Sequence, residues 1–289
     1  MATISGSVGK GGKNLEADVR YIQELLGLNL GIALTPPIVN GVADTKLSDL
    51  IVQFQKELMG SKKPDGRIDP GGGSLARLMA FTLPTPSSAP PEITESDLQT
   101  AATTLSAELA SVKAVSQVES RGDGFLASGR PKILFERHIF SGSSYGTSHA
   151  YDGAHSDISN TSSGGYGADG EHQYDRLYKA MACDRIAAMK SASWGRFQVM
   201  GFNFSVAGFA SVEDFVTKMY ESEGQHLIAF TNYVKNTAGL QKALQDKDWT
   251  TFAQKYNGPD YKNAVPKPYD EMLEDAYKSF SPPATPAAP

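Results

Sequence analysis

Residues 83–91 read Leu-Pro-Thr-Pro-Ser-Ser-Ala-Pro-Pro, with four prolines in the eight residues from Pro84. Proline lacks the amide N–H and holds φ near −65°, so neither a helix interior nor a central strand passes through such a run. A stiff, extended, exposed segment is what remains. It divides the 289 residues into two modest domains of roughly 83 and roughly 190 residues, sizes within the ordinary range for independent cores. The predicted organisation is a domain over 1–83, a linker over 84–93, a second domain over 94–281 and a tail over 282–289. The stretch 281–289 has four prolines and three alanines and is expected to be disordered.

Charge follows the same division. Residues 1–83 carry nine Lys/Arg against eight Asp/Glu, and the remainder 18 against 24, for a formal −5 overall. The pI is about 5.6. Binding to nucleic acid or to anionic membrane calls for a basic patch, so neither partner is expected. Hydrophobic residues make up 40% and charged residues 20%, a globular composition. The single cysteine, Cys183, excludes an intramolecular disulfide and a Cys-cluster zinc site. No apolar run approaches the roughly 20 residues of a membrane span. Residues 1–14 lack a basic region followed by an apolar stretch, so no secretory signal is read. These features predict a soluble protein folded in a reducing cytoplasm.

Helical spacing marks three short helices in the first part. Leu15, Val19, Ile22 and Leu26 form one stripe, with Gly27 as the expected stop. Leu47, Leu50, Ile51, Phe54 and Leu58 form the second, with Gly60 after it. Leu75, Leu78, Met79 and Leu83 form the third. Pro64-Asp65-Gly66 and Asp69-Pro70-Gly71 are turn signals between the last two. A small three-helix bundle without a catalytic constellation follows.

The second part opens on Thr94-Glu95-Ser96-Asp97, a capping box with Asp in place of Glu/Gln. A helical stretch then runs through Leu109, Val112, Val115 and Val118 and ends at Glu119-Ser120-Arg121-Gly122, with Gly122 fitting the C′ position. Glu119 shares the apolar face of Val112 and Val115 and sits in the last turn, at the negative end of the helix dipole. Desolvation and field both disfavour its anion, and a carboxyl kept protonated near neutral pH is a general acid. On this helix alone a boundary glutamate paired with Arg121 is the other reading. Downstream, Ser193-Trp194-Gly195-Arg196-Phe197-Gln198 interleaves polar and aromatic residues, as sugar sites do. Ala253-Gln254-Lys255-Tyr256-Asn257-Gly258 ends a further helix with an aromatic and an amide.

Two resemblances organise these observations. In the first part, Asp18-Val19, Ile22-Gln23, Phe54-Gln55 and Pro64 to Gly71 resemble the three-helix peptidoglycan-binding domain, although the turn at Asn40-Gly41-Val42-Ala43-Asp44 departs from it. In the second, Glu119-Ser120, Ser193 to Gln198 and Ala253 to Gly258 resemble the lysozyme-like peptidoglycan glycosidases. Residues 118–126, 129–138 and 192–201 are closer still to the N-acetylmuramidase domain of modular phage endolysins, with Asp123 a minor departure. The resemblance implies a mainly α fold: a small three-helix bundle joined by a Pro-rich linker to a larger lysozyme-like helical domain. It implies cleavage of the β-1,4 bond between N-acetylmuramic acid and N-acetylglucosamine, with Glu119 as general acid. Ser193, Gln198, Tyr256, Asn257, Glu136, His138 and Trp194 are the implied substrate-binding residues. Glu136 is also the one candidate for a second carboxylate, against a structural pairing with Arg137.

No metal or other cofactor is implied. His149, Asp152, His155 and Asp157 cluster in nine residues, but the Gly/Ser/Tyr-rich stretch 141–170 reads as a surface loop without fixed ligand geometry. Cys183 reads as a packed thiol. The expected partner is bacterial peptidoglycan, engaged by a monomer made in the host cytoplasm that reaches the wall after a holin permeabilises the membrane. A lytic transglycosylase, forming 1,6-anhydromuramic ends, shares all three motifs. A non-enzymatic wall-binding or virion structural protein is the alternative outside catalysis.

Overall fold

The computed structural model describes residues 4–30, 39–79, 83–119, 123–263 and 266–281. Ser120, Arg121 and Gly122, and the tail over 282–289, lie outside the described residues. Along the chain run β1 (Val8–Gly9), α1 (Glu16–Leu30), α2 (Thr45–Glu57), β2 (Arg67–Ile68) and α3 (Gly73–Met79). There follow α4 (Glu95–Leu105), α5 (Leu109–Glu119), β3 (Ile133–Phe135), α6 (Arg137–Ser141), α7 (Glu171–Cys183) and α8 (Arg185–Lys190). The last third holds β4 (Ala192–Trp194), β5 (Val199–Met200), α9 (Val212–Met219), α10 (Glu223–Asn236), α11 (Leu240–Asp246), α12 (Trp249–Asn257) and α13 (Tyr269–Phe280). The fold is mainly α. It forms two compact units, Met1–Pro84 with Phe135–Ser191, and Thr85–Leu134 with Ala192–Pro289.

In the first unit, Val8, Val19, Ile22, Leu26, Leu47, Ile51, Phe54, Ile68, Leu75 and Leu78 share one core. Most residues of the three predicted stripes face it, but Leu15 precedes α1 and is exposed, and Leu83 lies outside this cluster. The helix α1 does not stop at Gly27 but runs on to Leu30. A helical glycine costs about 1 kcal/mol, while each buried Leu contributes about 1.5–3 kcal/mol, and Leu25 and Leu26 are both buried. Beyond them, buried Asn29 donates through Nδ2 to Leu25 O (2.8 Å) and Leu78 O (3.1 Å).

Two buried glutamines clamp two turns in the same way. Gln23 Oε1 accepts from the N–H groups of Asn40 (3.0 Å) and Gly41 (2.9 Å), and its Nε2 donates to Val42 O at 3.2 Å. Gln55 Oε1 accepts from Gly66 N–H (3.0 Å) and its Nε2 donates to Arg67 O at 3.1 Å. Gly41 (φ +76°) and Gly66 (φ +69°) occupy the left-handed region that these turns require. The Asn40 turn, which departs from the expected pattern in sequence, is therefore held like the Asp65 turn.

The segment Phe135–Ser191 completes this unit, and α1 packs against α7. Gln173, fully buried, accepts from Phe135 N–H (3.1 Å) and donates to Tyr166 O and Ala168 O (2.8 Å each), tying the loop before α7 to the helix.

In the second unit, the predicted capping box is formed: Thr94 Oγ1 accepts from Asp97 N–H, and Asp97 accepts from Thr94 N–H. The expected single helix is broken between α4 and α5 at Ser106, which adopts φ +49°. Such a residue costs about 1–2 kcal/mol. Ala107 N–H bonds back to Ala102 O (3.0 Å), and Gln241 and Gln245 both donate to Leu105 O (2.9 and 2.8 Å), which offsets the strain. Helix α5 packs on α13, α4 on α10, and α12 on α13. The proline run carries no helix or strand. It is held to this unit where Glu223 N–H donates to Pro91 O (2.9 Å) and where Gly129 lies against Ser87 O.

Candidate active site

Glu119 is the last residue of α5, half-buried, with no basic residue in the final turn. Tyr269, the first residue of α13 and 4% exposed, donates its hydroxyl to Glu119 Oε1. Tyr256 lies close by on α12, its ring stacked on Phe252 and edge-on to Phe230. Burial first, and then the Glu119 charge, push both phenols well above 10. They therefore stay protonated and act as donors. Tyr256 spends its hydroxyl on Phe197 O at 2.8 Å, which fastens α12 to the turn carrying Gln198.

That turn joins β4 to β5, with Ser193 opposite Met200 and Trp194 opposite Val199. Gln198 sits at φ +47°, a conformation that costs a non-glycine residue about 1–3 kcal/mol and concentrates at functional sites. Ser193 Oγ donates to Gln198 Oε1 (2.7 Å), and Gln198 Nε2 donates to Gly195 O (2.7 Å). Ser193 is buried, so it fixes the exposed carboxamide of Gln198 and is not itself presented to solvent. Asn257 is exposed at the end of α12.

Trp194 requires a correction. It is 1% exposed, so its ring is a core group and offers no face for a sugar to stack on. Glu136 and His138 belong to the first unit. There Glu136 Oε1 accepts from Tyr166 (3.3 Å). Its Oε2 lies 3.1 Å from His138 Nδ1, an ion-pair distance with angles that make no hydrogen bond; neither buried atom has a hydrogen-bond partner among the described residues. The second unit thus brings together Glu119, Tyr256 and the Ser193–Gln198 turn. Glu136 and His138 form a cluster of their own.

The four residues considered for a metal do not converge. Asp152 accepts from Ser141 and Ser159 and faces His149 Nδ1 at 3.1 Å, while Asp157 pairs with Lys179 at 2.7 Å. No group of three or more His, Cys, Asp or Glu among the described residues is placed to hold a metal ion. Burial pushes the Cys183 thiol up, away from the reactive thiolate.

Three residues here escape sequence reading: Tyr269, Glu223 and His226. The latter two lie on α10, behind the Gly195–Arg196 backbone. Arg196 N–H donates to His226 Nδ1 (3.1 Å), so the ring's proton is on Nε2, which donates to Met219 O (2.7 Å). That tautomer is fully satisfied and neutral. Burial, the larger effect, lowers the imidazole from 6.5 to about 4.

The family model for N-acetylmuramidase matches residues 108–281. Among solved structures, the crystal structure of the Burkholderia AP3 phage endolysin aligns with a TM-score of 0.61 and 33% identity, covering 91% of this chain and 95% of that one. No curated protein matches the chain.

Proposed function

Because this chain belongs to the N-acetylmuramidase family, and is thus a glycoside hydrolase of phage-endolysin type, we propose that it cleaves the β-1,4 bond between N-acetylmuramic acid and N-acetylglucosamine in peptidoglycan. Glu119 is the general acid, protonating the glycosidic oxygen as the bond breaks. The observation that carries this reading is the placement of Glu119 at the end of α5, inside the matched region and fixed by Tyr269. Gln198, held at its strained angle by Ser193, and Asn257 bind the sugar hydroxyls and acetamides. Tyr256 supports the site from below through its bond to Phe197 O.

Residues 1–83 serve as the peptidoglycan-binding domain and 94–281 as the catalytic domain, joined by 84–93. Binding to an insoluble polymer raises the local concentration of the acid at its substrate. Glu136 and His138 contribute polar contacts to the glycan from their own cluster. No helix among the described residues is long and apolar enough to cross a membrane. A monomeric enzyme made inside the host would reach the wall once a holin has permeabilised the membrane.

The Glu119→Gln variant keeps the shape of the side chain and removes the proton. It is expected to lower release of soluble muropeptides from purified peptidoglycan by about 10²–10⁴-fold. Retained activity would remove Glu119 from the chemistry. Mass spectrometry of the wild-type products checks the outcome of bond cleavage: ends that carry added water are expected, and 1,6-anhydromuramic ends would make the enzyme a transglycosylase.

A further inference from the structure

The second unit places a nearly buried ion pair directly behind the site. Glu223, the first residue of α10, has a side chain 4% exposed and meets Arg196 Nη1 at 2.9 Å through Oε2. Its other oxygen, Oε1, accepts from the N–H of Gly124, five residues after Glu119 in the sequence. One turn further along α10, His226 accepts from Arg196 N–H and stacks on Phe125, ring centroids 4.8 Å apart. Helix α10 is thus bonded both to the backbone at Gly124 and to the turn that carries Gln198.

The fit leaves no slack. A Cβ on Gly124 would lie 2.7 Å from His226 Nδ1 and 2.9 Å from Glu223 Oε1; a Cβ on Gly195 would lie 2.8 Å from the His226 ring. Both glycines are present because backbone must lie directly on these two side chains. Beyond them, Lys132 O accepts from Gly195 N–H (2.8 Å), while Lys132 N–H donates to Gly124 O (2.8 Å). The backbone at Gly124 and the Gln198 turn are therefore joined to each other as well as to α10.

We propose that Glu223 and His226 are positioning residues for the reaction, holding the backbone at Gly124 and at Gly195–Arg196 in one register and so setting Glu119 against Gln198. The proposal rests on the reading of Glu119 as the acid. A carboxylate is required at 223 because two acceptors serve two donors at once. A glutamine of the same volume supplies one acceptor and one donor, so its Nε2 faces either Gly124 N–H or the Arg196 guanidinium, donor against donor.

The experiment measures kcat and KM on purified peptidoglycan for wild type, Glu223→Gln, Arg196→Gln and the double variant. Each is assayed well below its own melting temperature, where a merely structural role leaves kcat unchanged. Glu223→Gln is expected to lower kcat by about 10–100-fold, the scale of a misplacement of about 1 Å, with KM within about threefold of wild type. The double variant, which leaves no unpaired buried guanidinium, is expected to recover at least about fivefold of that loss. A folded Glu223→Gln enzyme with kcat within about twofold of wild type, or a change confined to KM, overturns the proposal while an inactive Glu119→Gln leaves the acid in place. An active Glu119→Gln variant instead overturns the reading beneath it. If Glu223→Gln does not fold, the double variant carries the test alone: reduced kcat supports positioning, and wild-type kcat overturns it.

Discussion

The hydroxyl of Tyr269 works against the burial of Glu119. A half-buried carboxyl at the negative end of a helix favours its neutral form, while an O–H donated to it favours the anion. The tyrosine therefore holds the proposed acid in one orientation and opposes the effect of burial on its carboxyl. With Glu119 as the proposed acid, the alkaline limb of the activity profile is expected to be its deprotonation. Tyr269→Phe removes the donor and keeps the ring, so that limb is expected to move to higher pH, with kcat lowered by about tenfold through lost orientation. A pH–rate profile with an unmoved or lower limb would show that the hydroxyl does not act on the acid. The place of Glu119 at a helix end was legible because its helix has a period and an end. Tyr269 was not, because it lies 150 residues away and no local pattern links the two. Trp194 was misread for a local reason. Successive strand residues point to opposite faces, so a ring next to Ser193 in β4 turns away from whatever Ser193 supports.

Among the elements, the apolar stripes were readable, and their ends less so. Gly27 and Ser106 show why. Each is decided by partners from distant elements, Leu78 O for α1 and Gln241 and Gln245 for α4, which propensity does not contain. Helix α10 illustrates the same gap: Leu227, Phe230 and Val234 recur at helical spacing and are buried, yet nothing local links Glu223 or His226 to Gly124 and Arg196. The His226 environment has a measurable consequence for stability. Its folded-state value of about 4 lies below the usual 6.5, so on acidification the unfolded chain takes up this proton first. Stability from this group is complete above about pH 6.5, falls as pH drops toward about 4, and is level below that, a loss of about 3 kcal/mol in all. Glu223 and Arg196 face the same ring and offset one another in charge. Denaturant titrations at several pH values check this: His226→Gln should have a shallower decline across that window than wild type. An equal slope would assign the decline to other groups.

At the scale of the molecule, the proline run was expected to separate two sequential parts, whereas the chain changes unit at Pro84/Thr85, at Leu134/Phe135 and again at Ser191/Ala192. The return of Phe135–Ser191 to the first unit was not legible, because nothing in an insertion's own sequence says which core it joins. Helix α7 buries Tyr174, Leu177, Tyr178, Ala180 and Met181, and α1 is one of the elements that cover it. A fragment beginning at Thr85 lacks that cover. It is expected to melt at least about 5 °C below the full chain, roughly 2 kcal/mol for a domain of this size, and to bind a hydrophobic dye that the full chain does not. Identical melting of fragment and full chain would show that residues 135–191 need nothing from 1–84.

The interleaving also sets an order of events on the ribosome. Residues 1–84 emerge first, but the helix that α1 packs against ends at Cys183. With α1 ending at Leu30 and α7 at Cys183, synthesis at about 5–20 residues per second keeps that face of α1 waiting for about 8–30 s. Throughout that interval α1 lacks one of its packing partners. The part of the molecule made first cannot close until the chain has been made as far as Ser191.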